Sequence, residues 1–243
     1  MSRSRLFLVI AACVMVVPGP ARAKNIGNLT TKKGVVTKTV PREGRAEMTE
    51  KEPVQEEMEV ETAKPRNSQA VFAIGKAQGV VAMGPDSRFK FEQGLFDAEG
   101  KGTLVSASFR VVLGRLRFLF SPSSSAELGP HPREILIRTG GEGSKNPPVR
   151  IAGTDVFLRV ERNGMTTLYV LEGSAVVGEA GNEVRVEQGQ WTIFGPGVPP
   201  QPPAPIDGDA TTGPFPFDKP EIPPPALLDP TSERFDLPKA AFP

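Results

Sequence analysis

The side chains that most often do chemistry are scarce in this sequence. Its 243 residues include one histidine, one cysteine, one tryptophan and one tyrosine. His131 sits between Pro130 and Pro132, and alone it completes neither a zinc ligand set nor a nucleophile–base pair. It reads as a solvated loop residue. Asp155, Glu161 and Glu172 come nearest to the carboxylate pair that acid/base work on a sugar requires. Their spacing, however, places Asp155 and Glu161 on the outward, solvated side of a strand. Gly140-Gly141-Glu142-Gly143-Ser144-Lys145 is glycine-rich, but no Gly-Lys-Ser/Thr step opens a helix after it, so it reads as a loop and not a phosphate cradle. Arg110, Arg115, Arg117 and Arg133 could form an anion-binding stripe only if one face gathered them. Tyr169 and Trp191 lie within apolar runs and read as core or half-buried. No catalytic, cofactor-binding or metal-ligating residue is assigned, and a non-enzymatic protein is expected.

The elements that position these residues are strands. From Val149 to Phe194 the chain reads as a β-meander. Val156, Leu158 and Val160 alternate with Phe157, Arg159 and Glu161, the period of a strand with one buried face. Asn163-Gly164 suits a tight hairpin turn, and Thr166 to Leu171 follows as a second strand. Ala175–Val177 and Val184–Glu187 extend the pattern to Trp191 and Ile193. Further upstream, Phe109, Val111 and Leu113 share one parity and Leu116, Phe118 and Phe120 the other. A change of parity at Gly114 is what a bulge or tight turn produces.

These residues resemble a FecR domain, the exported β-domain of bacterial envelope proteins that include the FecR iron-transport regulators. The resemblance is carried by Gly153-Thr154, then Val170-Leu171-Glu172-Gly173, then Gly189-Gln190, with the Pro85-Asp86-Ser87 step and Gly34-Val35-Val36 further upstream. Ala152 stands where the family usually has arginine, and Val156 where it usually has phenylalanine. The resemblance implies an exported binding or regulatory domain. The family's anti-sigma segment and membrane span are not expected, because a signal-like segment leads almost directly into the strands.

That segment covers residues 1–23. Arg3 and Arg5 precede an apolar run from Leu6 to Val17, and Ala21-Arg22-Ala23 is a cleavage site of the A-x-A kind. A periplasmic or secreted protein is expected, without a transmembrane segment in the mature chain. The alternative is a lipoprotein anchored through Cys13, since Ile10-Ala11-Ala12-Cys13 resembles a lipobox. Residues 24–69 are dense in charge and read as charged N-terminal strands or a linker, with edge strands favoured over disorder. Residues 70–195 form the FecR-like β-domain. Residues 196–243 hold fifteen of the 26 prolines, which excludes sheet or long helix and predicts an extended tail. Phe215, Phe217, Leu227, Leu228, Phe235 and Phe242 punctuate that tail, and docking back on the domain is favoured over binding a partner.

The expected fold is therefore all-β, an antiparallel sandwich or roll, with a short β-solenoid as the rival. A net charge of +1 supplies no field for nucleic acid. The expected partner is an envelope protein or a cell-wall component. A passive structural or adhesive role, with the tail as spacer, is the alternative.

Overall fold

The structure, a computed structural model, describes residues 24–64, 68–75, 79–96, 104–120 and 134–206. Residues 1–23, His131, Arg133 and everything after Ile206 lie outside these, and so does what was expected of them. Among the described residues there is no helix, and seventeen strands account for the regular structure.

The strands are β1 (Asn25–Lys33), β2 (Val36–Val40), β3 (Gly44–Glu47), β4 (Pro53–Gln55), β5 (Glu59–Thr62), β6 (Gln69–Ile74), β7 (Gly79–Met83), β8 (Arg88–Phe96), β9 (Leu104–Leu119), β10 (Glu134–Thr139), β11 (Val149–Ile151), β12 (Asp155–Val160), β13 (Thr166–Glu172), β14 (Ser174–Val177), β15 (Val184–Glu187), β16 (Gln190–Phe194) and β17 (Ala204–Pro205). Pairing arranges them in two layers. The first runs β4–β1–β6–β7–β9–β12–β13–β16–β17. The second runs β3–β2–β5–β8–β9–β10–β11–β14–β15. The chain shuttles between layers one strand or one hairpin at a time. Only β9–β10 is a parallel pair among these, so the fold is the antiparallel sandwich and not the solenoid, which would stack its strands in parallel.

β9 belongs to both layers. Its first half pairs with β8 and β10, its second half with β7 and β12. Nine extended residues would separate Phe109 from Phe118 by roughly 30 Å, yet their rings lie 5.8 Å apart across the sandwich. The strand must therefore fold over, and Gly114, at a φ of 102°, is where it does so. A Cβ there would come within 2.2 Å of the Ser87 Oγ and 2.5 Å of its Cα. The Ser87 hydroxyl in turn accepts the Arg115 N–H at 3.0 Å, and the Gly84 N–H donates to the Arg115 carbonyl at 2.9 Å. The Pro85-Asp86-Ser87 turn thus clamps the corner.

Between the layers lies one continuous apolar core. Phe72, Phe89, Phe91, Phe109, Phe118, Phe120 and Phe194 are fully buried in it, and edge-to-face contacts such as Phe72–Phe91 at 5.5 Å join the two sheets. The charged N-terminal stretch contributes Val36, Met48, Val54, Met58 and Val60 to the same core. Its strands are only partly at the margins: β3 and β4 are edges, whereas β1, β2 and β5 each have neighbours on both sides. In β5 every second residue packs inward, whereas β3 is exposed throughout.

Candidate binding surface

The two outer faces differ in chemistry. On the second layer, Lys90, Arg110 and Arg138 fall side by side on β8, β9 and β10. The register of β8 slips between Phe91 and Gln93, and Glu92 sits at the slip, re-aimed as bulged residues are. Its carboxylate accepts Arg110 Nε at 2.7 Å, Arg138 Nη1 at 2.7 Å and Ser108 Oγ at 2.8 Å. Burial alone would raise the Glu92 carboxyl, but the hydroxyl and the two guanidinium groups together hold it below its ordinary value. Lys90 bonds Glu57 at 2.7 Å, and that hydrogen bond outweighs burial to raise the ammonium above its ordinary value. The face is a lattice of satisfied charges.

The first layer presents something else. Register sets Phe157 opposite Tyr169 and Tyr169 opposite Trp191, so three aromatic side chains form a row across β12, β13 and β16. Phe157 meets Tyr169 edge-on at 6.2 Å, and Tyr169 stacks on Trp191 at 6.0 Å. Val71, Ala82 and Arg117 continue the row across β6, β7 and β9. These side chains alternate with Phe72, Val81, Leu116, Leu158, Leu168 and Val170, which point into the core, so they lie on the outside. Even so, Val71, Leu119, Phe157 and Tyr169 retain only 7–8% of their surface. Trp191 is half-buried. Burial pushes the Tyr169 phenol above its ordinary value, opposed by the charge of Arg159.

Set into this apolar face is a buried ion pair. Arg117 reaches both carboxylate oxygens of Asp155, with Nε to Oδ1 at 2.7 Å. The pair's side chains keep only 12% and 5% of their surface. A bidentate fork of this kind fixes both groups.

Several expectations change. Asp155 is on the outward side of its strand but is buried, because Arg117 on the neighbouring strand neutralises it. Glu161 stays outside, 3.3 Å from Arg159, and Glu172 is exposed. The arginine stripe is not formed: Arg110 lies on the second layer, Arg115 and Arg117 on the first, and Arg133 is outside the described residues. The fold at Gly114 separates them. Tyr169 is buried and Trp191 half-buried, as read from the sequence, but both lie on the outer face and not between the layers. The residues of the FecR-like motifs are architectural. Gly173, where β13 crosses to β14, has a φ of 78°, and a Cβ there would meet Thr154 Cγ2 at 2.5 Å and the Gly153 carbonyl at 3.1 Å. Gly153-Thr154 and Glu172-Gly173 therefore pack directly on one another.

Neither a family model nor a curated protein sequence matches the chain. Among solved structures, the chain is similar to a candidate anti-sigma factor from Parabacteroides distasonis, seen in two crystal structures at 1.65 and 2.50 Å resolution. The TM-scores are 0.43 and 0.44 at 9% sequence identity. The match takes in 60% of this chain and 59% of that one, so it spans about three fifths of that protein's length.

Proposed function

We propose that this chain is an exported, non-enzymatic binding or regulatory module of the bacterial cell envelope, FecR-like in kind. The observation that carries the proposal is the contrast between the two outer faces. One is a lattice of paired charges; the other carries a row of aromatic and aliphatic side chains with the Arg117–Asp155 pair set into it and Arg115, Arg159 and Glu161 beside it. Of that row Phe157 and Tyr169 are buried and Trp191 is half-buried, so Trp191 is the anchor open to a partner, and aromatic and arginine anchors are where binding energy concentrates. The signal-like layout of residues 1–23 and the FecR-like motifs support an envelope location. The partner is an envelope protein that lays an apolar segment against β12, β13 and β16.

Cross-linking in envelope extract followed by titration of the purified partner tests this. The mature chain should bind one protein saturably, and Trp191→Ala with Tyr169→Ala should weaken binding by at least about tenfold, the scale of interface anchors. Affinity unchanged by both substitutions would remove the proposal. Dependence of function on the length of the tail alone would favour a passive spacer role instead.

A further inference from the structure

We infer that the partner segment received by the outer face of the first layer is acidic, and that it presents a carboxylate to Arg115 beside the apolar group it seats on Trp191. The inference rests on the function proposed above and adds the chemistry of the partner.

Arg115 is exposed at the corner of β9. Every other arginine on a described strand is in an ion pair, whereas Arg115 forms none with a described residue. Its position makes that unfavourable. Register sets it directly opposite Arg159, and like charges facing each other across two strands destabilise the pairing. The carboxylates close by are already held. Glu161 lies 3.3 Å from Arg159, and Asp86, in the turn that clamps the corner, lies 3.1 Å from Arg162. One positive charge is left over beside the aromatic row.

Geometry fixes where the matching acid must fall. Arg115, Arg159, Thr167 and Ile193 stand in line across β9, β12, β13 and β16, with Trp191 two residues along from Ile193. Three strand spacings and one two-residue step separate Arg115 from Trp191, about 16 Å. An extended segment covers that distance in about five residues, and the length of the arginine side chain widens the spacing to about four to six.

A single spare cation also sets the class of partner. One carboxylate matches it, and a guanidinium takes a carboxylate through two parallel hydrogen bonds. An anionic lipid surface would need several unpaired cations gathered on one face, and a chain of net charge +1 supplies no such field.

Random peptides displayed on phage and selected on the mature full-length chain test this. Peptides held by the wild-type chain and lost on Trp191→Ala should carry Asp or Glu about four to six residues from a large apolar residue. Replacing that acid by its amide in a synthetic copy should weaken binding about fivefold, the scale of a charge-assisted hydrogen bond at a partly wet site. The signal is the fluorescence of Trp191, the only tryptophan. Arg115→Gln should abolish the difference between acid and amide. Arg115→Glu should select Lys or Arg at the same spacing, a reversal that loss of folding could not produce. Trp191-dependent peptides with no acidic preference would overturn this inference and leave the proposed function standing, whereas a selection indifferent to Trp191 and Tyr169 would remove both. Binding to phosphatidylglycerol vesicles that is lost with Arg115→Gln would also overturn it, in favour of a lipid surface.

Discussion

At the residue scale, the Arg117–Asp155 pair is the clearest liability. Removing one member strands the other in an apolar setting, which costs about 3–5 kcal/mol, whereas replacing both by apolar groups of similar volume is close to neutral. Asp155→Asn should therefore lower stability in a urea titration by about 3 kcal/mol, and Arg117→Met with Asp155→Leu should recover most of it. If the single and double variants were equally unstable, the pair would not be acting as a unit. The sequence showed Asp155 on an outward position but not its burial, because the partner lies 38 residues away.

At the level of elements, the corner in β9 governs how the sheets meet. Gly114→Ala places a side chain at a φ that costs about 1–3 kcal/mol and against the Ser87 backbone. Its thermal midpoint should fall by more than that of Ser87→Ala. The latter leaves the Arg115 N–H without its acceptor and should cost about 1–2 kcal/mol. Equal midpoints would mean that the bend does not depend on glycine. The parity change at Gly114 was legible from the sequence; its use to pass one strand between two layers was not, since a bulge within a single sheet gives the same pattern. The hairpin after β12 teaches the same lesson. A two-residue turn at Asn163-Gly164 would set Phe157 opposite Val170. The turn instead has three residues between Glu161 and Met165, with Gly164 N–H on the Glu161 carbonyl and Glu161 N–H on the Met165 carbonyl. One extra residue moves every side chain of β13 to the other face. That extra residue puts Tyr169 beside Phe157.

For the molecule as a whole, acid should act through the paired charges outside the core. Glu92 and Glu52 are both held below the ordinary value of 4.5: burial opposes this, while Ser108, Arg138 and Arg110 bring down Glu92, and Lys38 and Thr49 bring down Glu52. A carboxyl with a lowered folded-state value adds stability above its unfolded value and loses it as pH falls through the folded one. Stability contributed by these groups should thus be flat near neutrality and decline below about pH 4.5. Glu92→Gln should be less stable at pH 7 and should show a shallower decline in acid, measured by urea midpoints between pH 7 and 3. An unaltered acid slope would show that Glu92 contributes nothing. The core itself carries no such dependence, being built from phenylalanines and aliphatic residues contributed by both layers.

The order of side chains along this chain already determined that it would be all-β and where most of its strands and turns would fall, because alternation and turn chemistry are local properties. Even the charged N-terminal run carried its inward residues in that spacing. Only the tertiary structure decided which strands became neighbours: that Arg117 would reach Asp155, that the arginines would be divided between two faces, and that Trp191 would stack on Tyr169 after β14 and β15 had crossed to the other layer. Partner choice between strands is settled by the packing of distant segments against one another, and no short stretch of sequence contains it.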